Sequence, residues 1–97
     1  MYPSITIEEL EQKRQEGIAV IDVREELPFN QNHLPEAINI PLNQLPENIN
    51  ELDDDTTYYV ICTLGVRSMQ ACEFLAHEGY DVVNVEGGMQ AYREMKK

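Results

Sequence analysis

The stretch YVICTLGVRSMQA (residues 59–71) decides how the chain is read. A β-favouring run, Tyr58 to Ile61, delivers Cys62 into a loop that holds Gly65 and Arg67, and a helical pattern begins at Ser68. Strand, short turn and helix in that order are the repeating unit of a parallel α/β sheet. In such sheets ligands bind beyond the carboxyl ends of the strands, which is where Cys62 falls.

The alternation continues on both sides of this stretch. IAVIDV (18–23) is a continuous apolar run, as expected of a strand covered on both faces, and INI (38–40) and VVNV (82–85) read as further strands. Helices are expected over 6–17, over 68–79 and from Gly88 onward. In the first of these Thr6 and Glu9 can form a capping box, and Gly17 is a stop signal. Residues 25–37 read as a loop rich in Pro and Asn. Residues 41–52 read as weakly helical, with Pro41 at a start and Pro46 splitting the segment. The pattern predicts a mainly parallel sheet covered by helices. One edge of that sheet would gather Asp22-Val23-Arg24, the loop after Cys62, and Glu86-Gly87-Gly88.

Ninety-seven residues suffice for one domain, expected over 1–97. Eighteen acids against seven bases leave a net charge of −11, which argues against nucleic acid as a partner. The imbalance is concentrated in residues 1–57, with 13 acids and three bases, whereas residues 58–97 carry five acids and four bases. The half that contains Cys62 is therefore nearly neutral. No apolar stretch approaches the roughly 20 residues of a membrane span. The opening MYPSITIEEL has no basic n-region, so no signal peptide is expected and the cytoplasm is the default location.

Cys62 and Cys72 are too few for a disulfide framework, and with His33 and His77 scattered singly they do not approach a metal ligand set. The Asp53-Asp54-Asp55 run lacks the alternation and glycine of a calcium loop and reads as a solvated acidic turn. Cys72 falls on the apolar stripe of its helix, the place of an inert packing residue. Cys62 differs. It follows a strand and precedes a helix, whose unpaired N–H groups and positive dipole end can face it. Gly65 lets the backbone curl so that successive N–H groups converge, and Arg67 adds the loop's one full positive charge. Such surroundings stabilise a thiolate and can hold an anion against it. A cysteine that merely packs at a strand end, with a glycine that merely closes a turn, remains the other reading.

CTLGVRS (62–68) resembles the active-site loop C-x-x-G-x-R-S of the rhodanese-like sulfurtransferases. VIDVRE (20–25), NHLPEAINIP (32–41) and VEGGMQAY (85–92) are similar to three further motifs of that family, in the same order. The resemblance implies a five-stranded, mainly parallel sheet with helices on both faces. It also implies a sulfurtransferase or persulfide carrier in which Cys62 is the nucleophile. Cys62 would take a sulfane sulfur from thiosulfate or from a protein or low-molecular-weight persulfide. It would pass that sulfur to cyanide or to a thiol acceptor, with Thr63, Leu64, Gly65, Val66, Arg67 and Ser68 forming the anion-binding loop. Neither a metal nor an organic cofactor is required.

The departures from the family pattern carry information. Thr63 stands where many thiosulfate-using members have arginine, and Val66 where polar residues are frequent. The mouth is less cationic for it, which favours a persulfide on another protein or a small thiol, with Leu64 and Val66 as an apolar docking rim. Asn32 and Glu36 replace glycines, and Tyr92 replaces a Trp whose space it can largely fill. The resemblance puts Asp22 and Arg24 at the active-site edge, bracing the loop; a structural ion pair between neighbours explains them equally well. His33 reads as a turn-packing residue rather than a base for Cys62, and Gly87-Gly88 as a close backbone contact. Two other functions fit less well. One is a non-catalytic binding module, in which the cysteine is often missing. The other is a phosphatase or arsenate reductase, whose loop would enclose five residues where Cys62 and Arg67 enclose four.

Overall fold

A computed structural model describes residues 2–97. Five strands, β1 (Ser4–Ile5), β2 (Ala19–Asp22), β3 (Ala37–Asn39), β4 (Thr57–Ile61) and β5 (Asp81–Val85), form one sheet in the order β1-β5-β4-β2-β3. Every pairing is parallel. The helices are α1 (Ile7–Arg14), α2 (Glu26–Gln31), α3 (Leu45–Asn48), α4 (Val66–His77) and α5 (Gly88–Met95). Short 3-10 turns, Leu42–Gln44 and Ile49–Glu51, flank α3.

Successive strand residues point to opposite faces, so the sheet builds two cores. On one face Ile21, Val23, Val60, Cys62 and Val82 pack with Ala71, Cys72 and Leu75 of α4 and with Leu45 of α3. On the other, Val20, Ile61 and Val85 pack with Ile7 and Leu10 of α1 and Met89 of α5. The central strands are covered on both sides, which is why β2 and β4 appear in the sequence as unbroken apolar runs.

Four details differ from the sequence expectation. The fifth strand, β1, has only two residues and no periodicity of its own; it is pinned where Asn84 and Glu86 donate their amides to Pro3 and Ile5 carbonyls, both at 2.9 Å. Residues 26–31, expected as loop, form α2. This helix buries none of its side chains, so it shows no stripe, and Pro28 lies in its first turn, where a missing N–H leaves no helical bond unmade. Pro46 likewise sits in the first turn of α3 and starts that helix rather than splitting it. Finally, α4 begins at Val66, two residues before the expected Ser68, because Gly65 adopts φ +92° and caps it there.

At α1 the capping box forms as read: Glu9 donates its amide to Thr6 Oγ1 at 3.2 Å, and Thr6 returns its amide to Glu9 Oε1 at 2.9 Å. The register pairs Asp22 with Ile61 and Val60 with Asn84. The residues that follow these strands, Arg24, Cys62 and Glu86, therefore emerge at one edge.

Candidate active site

Cys62 is the first residue beyond β4, and the chain turns around its sulfur before entering α4. The amides of Gly65 and Ser68 donate to Cys62 Sγ at 3.1 and 3.2 Å. The thiol in turn donates to Ser68 Oγ at 3.3 Å. Of the loop's successive N–H groups, that of Gly65 reaches the sulfur, and the second donor is Ser68, in the first turn of α4. Gly65 is needed for a second reason besides its positive φ: a Cβ there would stand 3.1 Å from the amide nitrogen of Gly87.

Only 2% of Cys62 is exposed, at the base of a pocket of about 330 Å³ lined by Thr63, Leu64, Val66 and Arg67. Leu64 and Val66 stand at its rim, 63% and 57% exposed. Arg67 is exposed, and among the described residues it makes no ion pair. The pocket therefore has a buried sulfur facing backbone donors, one cation at the mouth and apolar side chains around it.

Asp22 and Arg24 are both buried and bind each other. The guanidinium donates through Nε and Nη2 to the Asp22 carboxylate at 2.8–3.1 Å, and Nη2 also donates to the Asn32 carbonyl at 2.6 Å. Their side chains make no hydrogen bond to residues 62–68 among the described residues. The link to the loop runs through the backbone, where Val23 donates to the Ile61 carbonyl at 3.0 Å. Asn39, which the sequence reading left out, fixes the same turn: Nδ2 donates to the carbonyls of Asp22 and Arg24, each at 2.9 Å.

His33 is turned to its own loop, stacked on Phe29 at 3.9 Å with Nδ1 2.8 Å from the Leu34 carbonyl. Cys72 is fully buried one helical turn beyond Ser68. Burial, and then the nearby charge of Cys62 when ionised, push its thiol up to about 12. The Asp53 carboxylate accepts from the Asp55 amide at 3.0 Å and Thr56 Oγ1 at 3.1 Å, so it shapes its own turn.

The third element at this edge is the start of α5. Met89 and Gln90 donate their amides to the carbonyls of Cys62 and Thr63 at 2.8 and 3.0 Å. Sequence reasoning did not assign these two residues; the Gly87-Gly88 pair before them was the available signal.

A model of the rhodanese-like domain matches residues 6–95. The chain belongs to the rhodanese-like domain family. Among its relatives is a protein of Bacillus subtilis (strain 168) provisionally named as the sulfurtransferase YtwF. It is 42% identical over 77 residues, which cover 79% of this chain and 75% of the relative. The thiosulfate sulfurtransferase GlpE of Pseudomonas syringae pv. syringae (strain B728a) is 30% identical over 93 residues, 95% of this chain and 88% of that one. The crystal structure of a rhodanese-related protein from Thermoplasma volcanium superposes with a TM-score of 0.91 at 38% identity, covering 97% of this chain and 93% of the other. The five-stranded parallel sheet with flanking helices is the rhodanese-like fold. Among the described residues, no helix is long and apolar enough to cross a membrane.

Proposed function

We propose that this rhodanese-like chain, acting as a single domain, is a sulfurtransferase in which Cys62 carries the sulfur as a persulfide. The observation that supports this most directly is the convergence of the Gly65 and Ser68 amides on Cys62 Sγ at the base of an open pocket. Donors fixed in that way stabilise an anionic sulfur without having to reorganise during the reaction.

The cycle has two displacements. The Cys62 thiol loses its proton to solvent, and the thiolate attacks the outer sulfur of the donor. A new sulfur–sulfur bond forms on Cys62 while the donor's own bond breaks. The leaving group, sulfite from thiosulfate or a thiolate from a persulfide, departs with the electron pair. Cyanide or an acceptor thiolate then attacks the terminal sulfur and expels the Cys62 thiolate. Thr63, Leu64 and Val66 line the space for the transferred sulfur, and Arg67 meets the charge of the donor or acceptor. Asp22 and Arg24 support the site at one remove, by holding the turn beside β4.

The donor that fits the mouth best is a persulfide, on a small thiol or on a cysteine that projects from a partner protein. Among the described residues, two large and well-exposed apolar side chains, Leu64 and Val66, line the mouth itself. A collar of this kind favours an apolar contact around the mouth, and a single arginine is a weak trap for a dianion. Thiosulfate, which the GlpE name specifies for that relative, serves as the alternative donor. A reducing cytoplasm suits the cycle, since Cys62 must return to the thiol state.

The test compares single-turnover sulfur uptake from glutathione persulfide with uptake from thiosulfate. The expected result is faster uptake from the persulfide and none in Cys62→Ser. Equal uptake by Cys62→Ser would remove Cys62 from the chemistry, and faster uptake from thiosulfate would remove the donor preference.

A further inference from the structure

Helix α5 has no side-chain cap. The first amides of a helix lack partners within it, and those of Met89 and Gln90 find theirs in the carbonyls of Cys62 and Thr63. The loop that surrounds the reactive sulfur is thus itself the cap of α5. The fit depends on Gly88. A Cβ on that residue would lie 2.2 Å from the Cys62 carbonyl oxygen and 2.8 Å from the carbonyl carbon and oxygen of Thr63. All three are backbone atoms, which cannot move aside as the end of a side chain could. Any other residue at 88 would hold α5 away from the loop.

Peptide planarity gives this contact a consequence at the site. In a trans peptide the carbonyl of one residue and the N–H of the next point in opposite directions. With the Cys62 and Thr63 carbonyls aimed at α5, the N–H groups of Thr63 and Leu64 are aimed away from it. Both residues line the pocket above the sulfur. A hydrogen bond at the carbonyl also polarises the N–H of the same amide.

We propose that Gly88, together with the Met89 and Gln90 amides, positions the Thr63 and Leu64 N–H groups as donors to the terminal sulfur of the Cys62 persulfide. Gly88 is a positioning residue: it touches the loop and not the substrate. The role rests on the sulfur-carrier reading of Cys62. The orientation of the loop does not, and thiol reactivity reads it independently.

The experiment compares Gly88→Ala with Gly79→Ala. Both glycines have positive φ, +54° and +94°, so both substitutions strain the backbone, but a Cβ on Gly79 meets nothing within 4 Å. Melting temperature, the pH profile of iodoacetamide alkylation at Cys62, read by peptide mass, and sulfur uptake are measured for each. Both variants should melt lower than the native chain. Gly88→Ala alone should move the alkylation profile to higher pH and slow sulfur uptake at least tenfold. A folded Gly88→Ala that matches Gly79→Ala in profile and uptake overturns the proposal. If Gly88→Ala does not fold, the native chain decides: the Met89 and Gln90 amide resonances should follow the titration of Cys62 while that of Gly79 stays still, and flat Met89 and Gln90 resonances overturn it. Absence of sulfur uptake in the native chain would instead sink the sulfurtransferase reading and leave the alkylation profile to judge the positioning.

Discussion

Ser68 reaches the Cys62 sulfur twice, through its amide at 3.2 Å and its hydroxyl at 3.3 Å. The amide is a fixed part of the α4 backbone, whereas the hydroxyl can be removed by mutation. Ser68→Ala keeps the first contact and deletes the second. A hydrogen bond to a charged group contributes about 1.5–3 kcal/mol, and part of this is shared with the remaining donors. Sulfur uptake should therefore fall about tenfold in the variant, with the chain still folded by circular dichroism. Unchanged uptake would mean that the hydroxyl serves only to pack.

Asp22 is fully buried and, among the described residues, is the one carboxylate bound to the Arg24 guanidinium. Asp22→Asn leaves that cation buried without its counter-charge. Breaking a buried pair in this way costs about 3–5 kcal/mol. In a chain of this size each kcal/mol shifts the melting temperature by about 4–8 °C. A fall of more than 10 °C is expected in thermal melts. A shift under about 2 °C would show that the pair carries no such energy.

Glu36 illustrates a pH effect that is confined to the surface. Burial raises its carboxyl, but the Arg14 hydrogen bonds, the Glu36 backbone amide and the Arg14 charge outweigh this, so it titrates below its ordinary 4.5. A folded-state value below the unfolded one stabilises the fold above the unfolded value and is lost as pH falls through the folded one. Glu36→Gln should thus melt lower than the native chain at pH 7, and the gap should narrow progressively as the pH falls below the ordinary carboxyl value of 4.5. A gap that stays constant throughout the acid range would contradict the assignment of this effect to the carboxylate.

Thr63 lines the pocket beside Arg67, the one fully charged residue of its lining among the described residues. Thr63→Arg adds a second cation at the mouth. Exposed ion pairs contribute about 0.2–1 kcal/mol, so KM for thiosulfate should fall about threefold, with little change in kcat, and the gain should fade as salt rises. An unchanged or higher KM would remove charge as the reason thiosulfate is disfavoured.

The sequence made the central part of this architecture legible for a physical reason. Strands covered on both faces are mostly apolar, and the polar residues they do carry, such as Asp22 at the end of β2, have to be paired. Strands β2 and β4 therefore stand out, and the turn chemistry around Cys62 and Gly65 follows from them. Elements without a buried stripe were not legible. Helix α2 buries no side chain, and β1 is defined only by its partner Asn84-Val85. The site divides in the same way. Cys62, Gly65 and Ser68 act through local chain geometry and could be read from CTLGVRS. Met89, Gln90 and Asn39 act through backbone amides or an amide side chain from distant elements, and of these contacts only the Gly87-Gly88 pair left a trace in the sequence. For Asp22 and Arg24 an ion pair between neighbours was one of the two sequence readings, and the side-chain contacts show that the pair forms.

The central claim, that Cys62 alone carries the sulfur, is tested most directly by intact mass. The reduced protein is exposed to glutathione persulfide and weighed beside Cys62→Ser and Cys72→Ser, then weighed again after cyanide. The native chain and Cys72→Ser should each gain one sulfur atom and lose it to cyanide, while Cys62→Ser should gain none. A folded Cys72→Ser that takes up no sulfur, or a Cys62→Ser that takes it up normally, would contradict that claim.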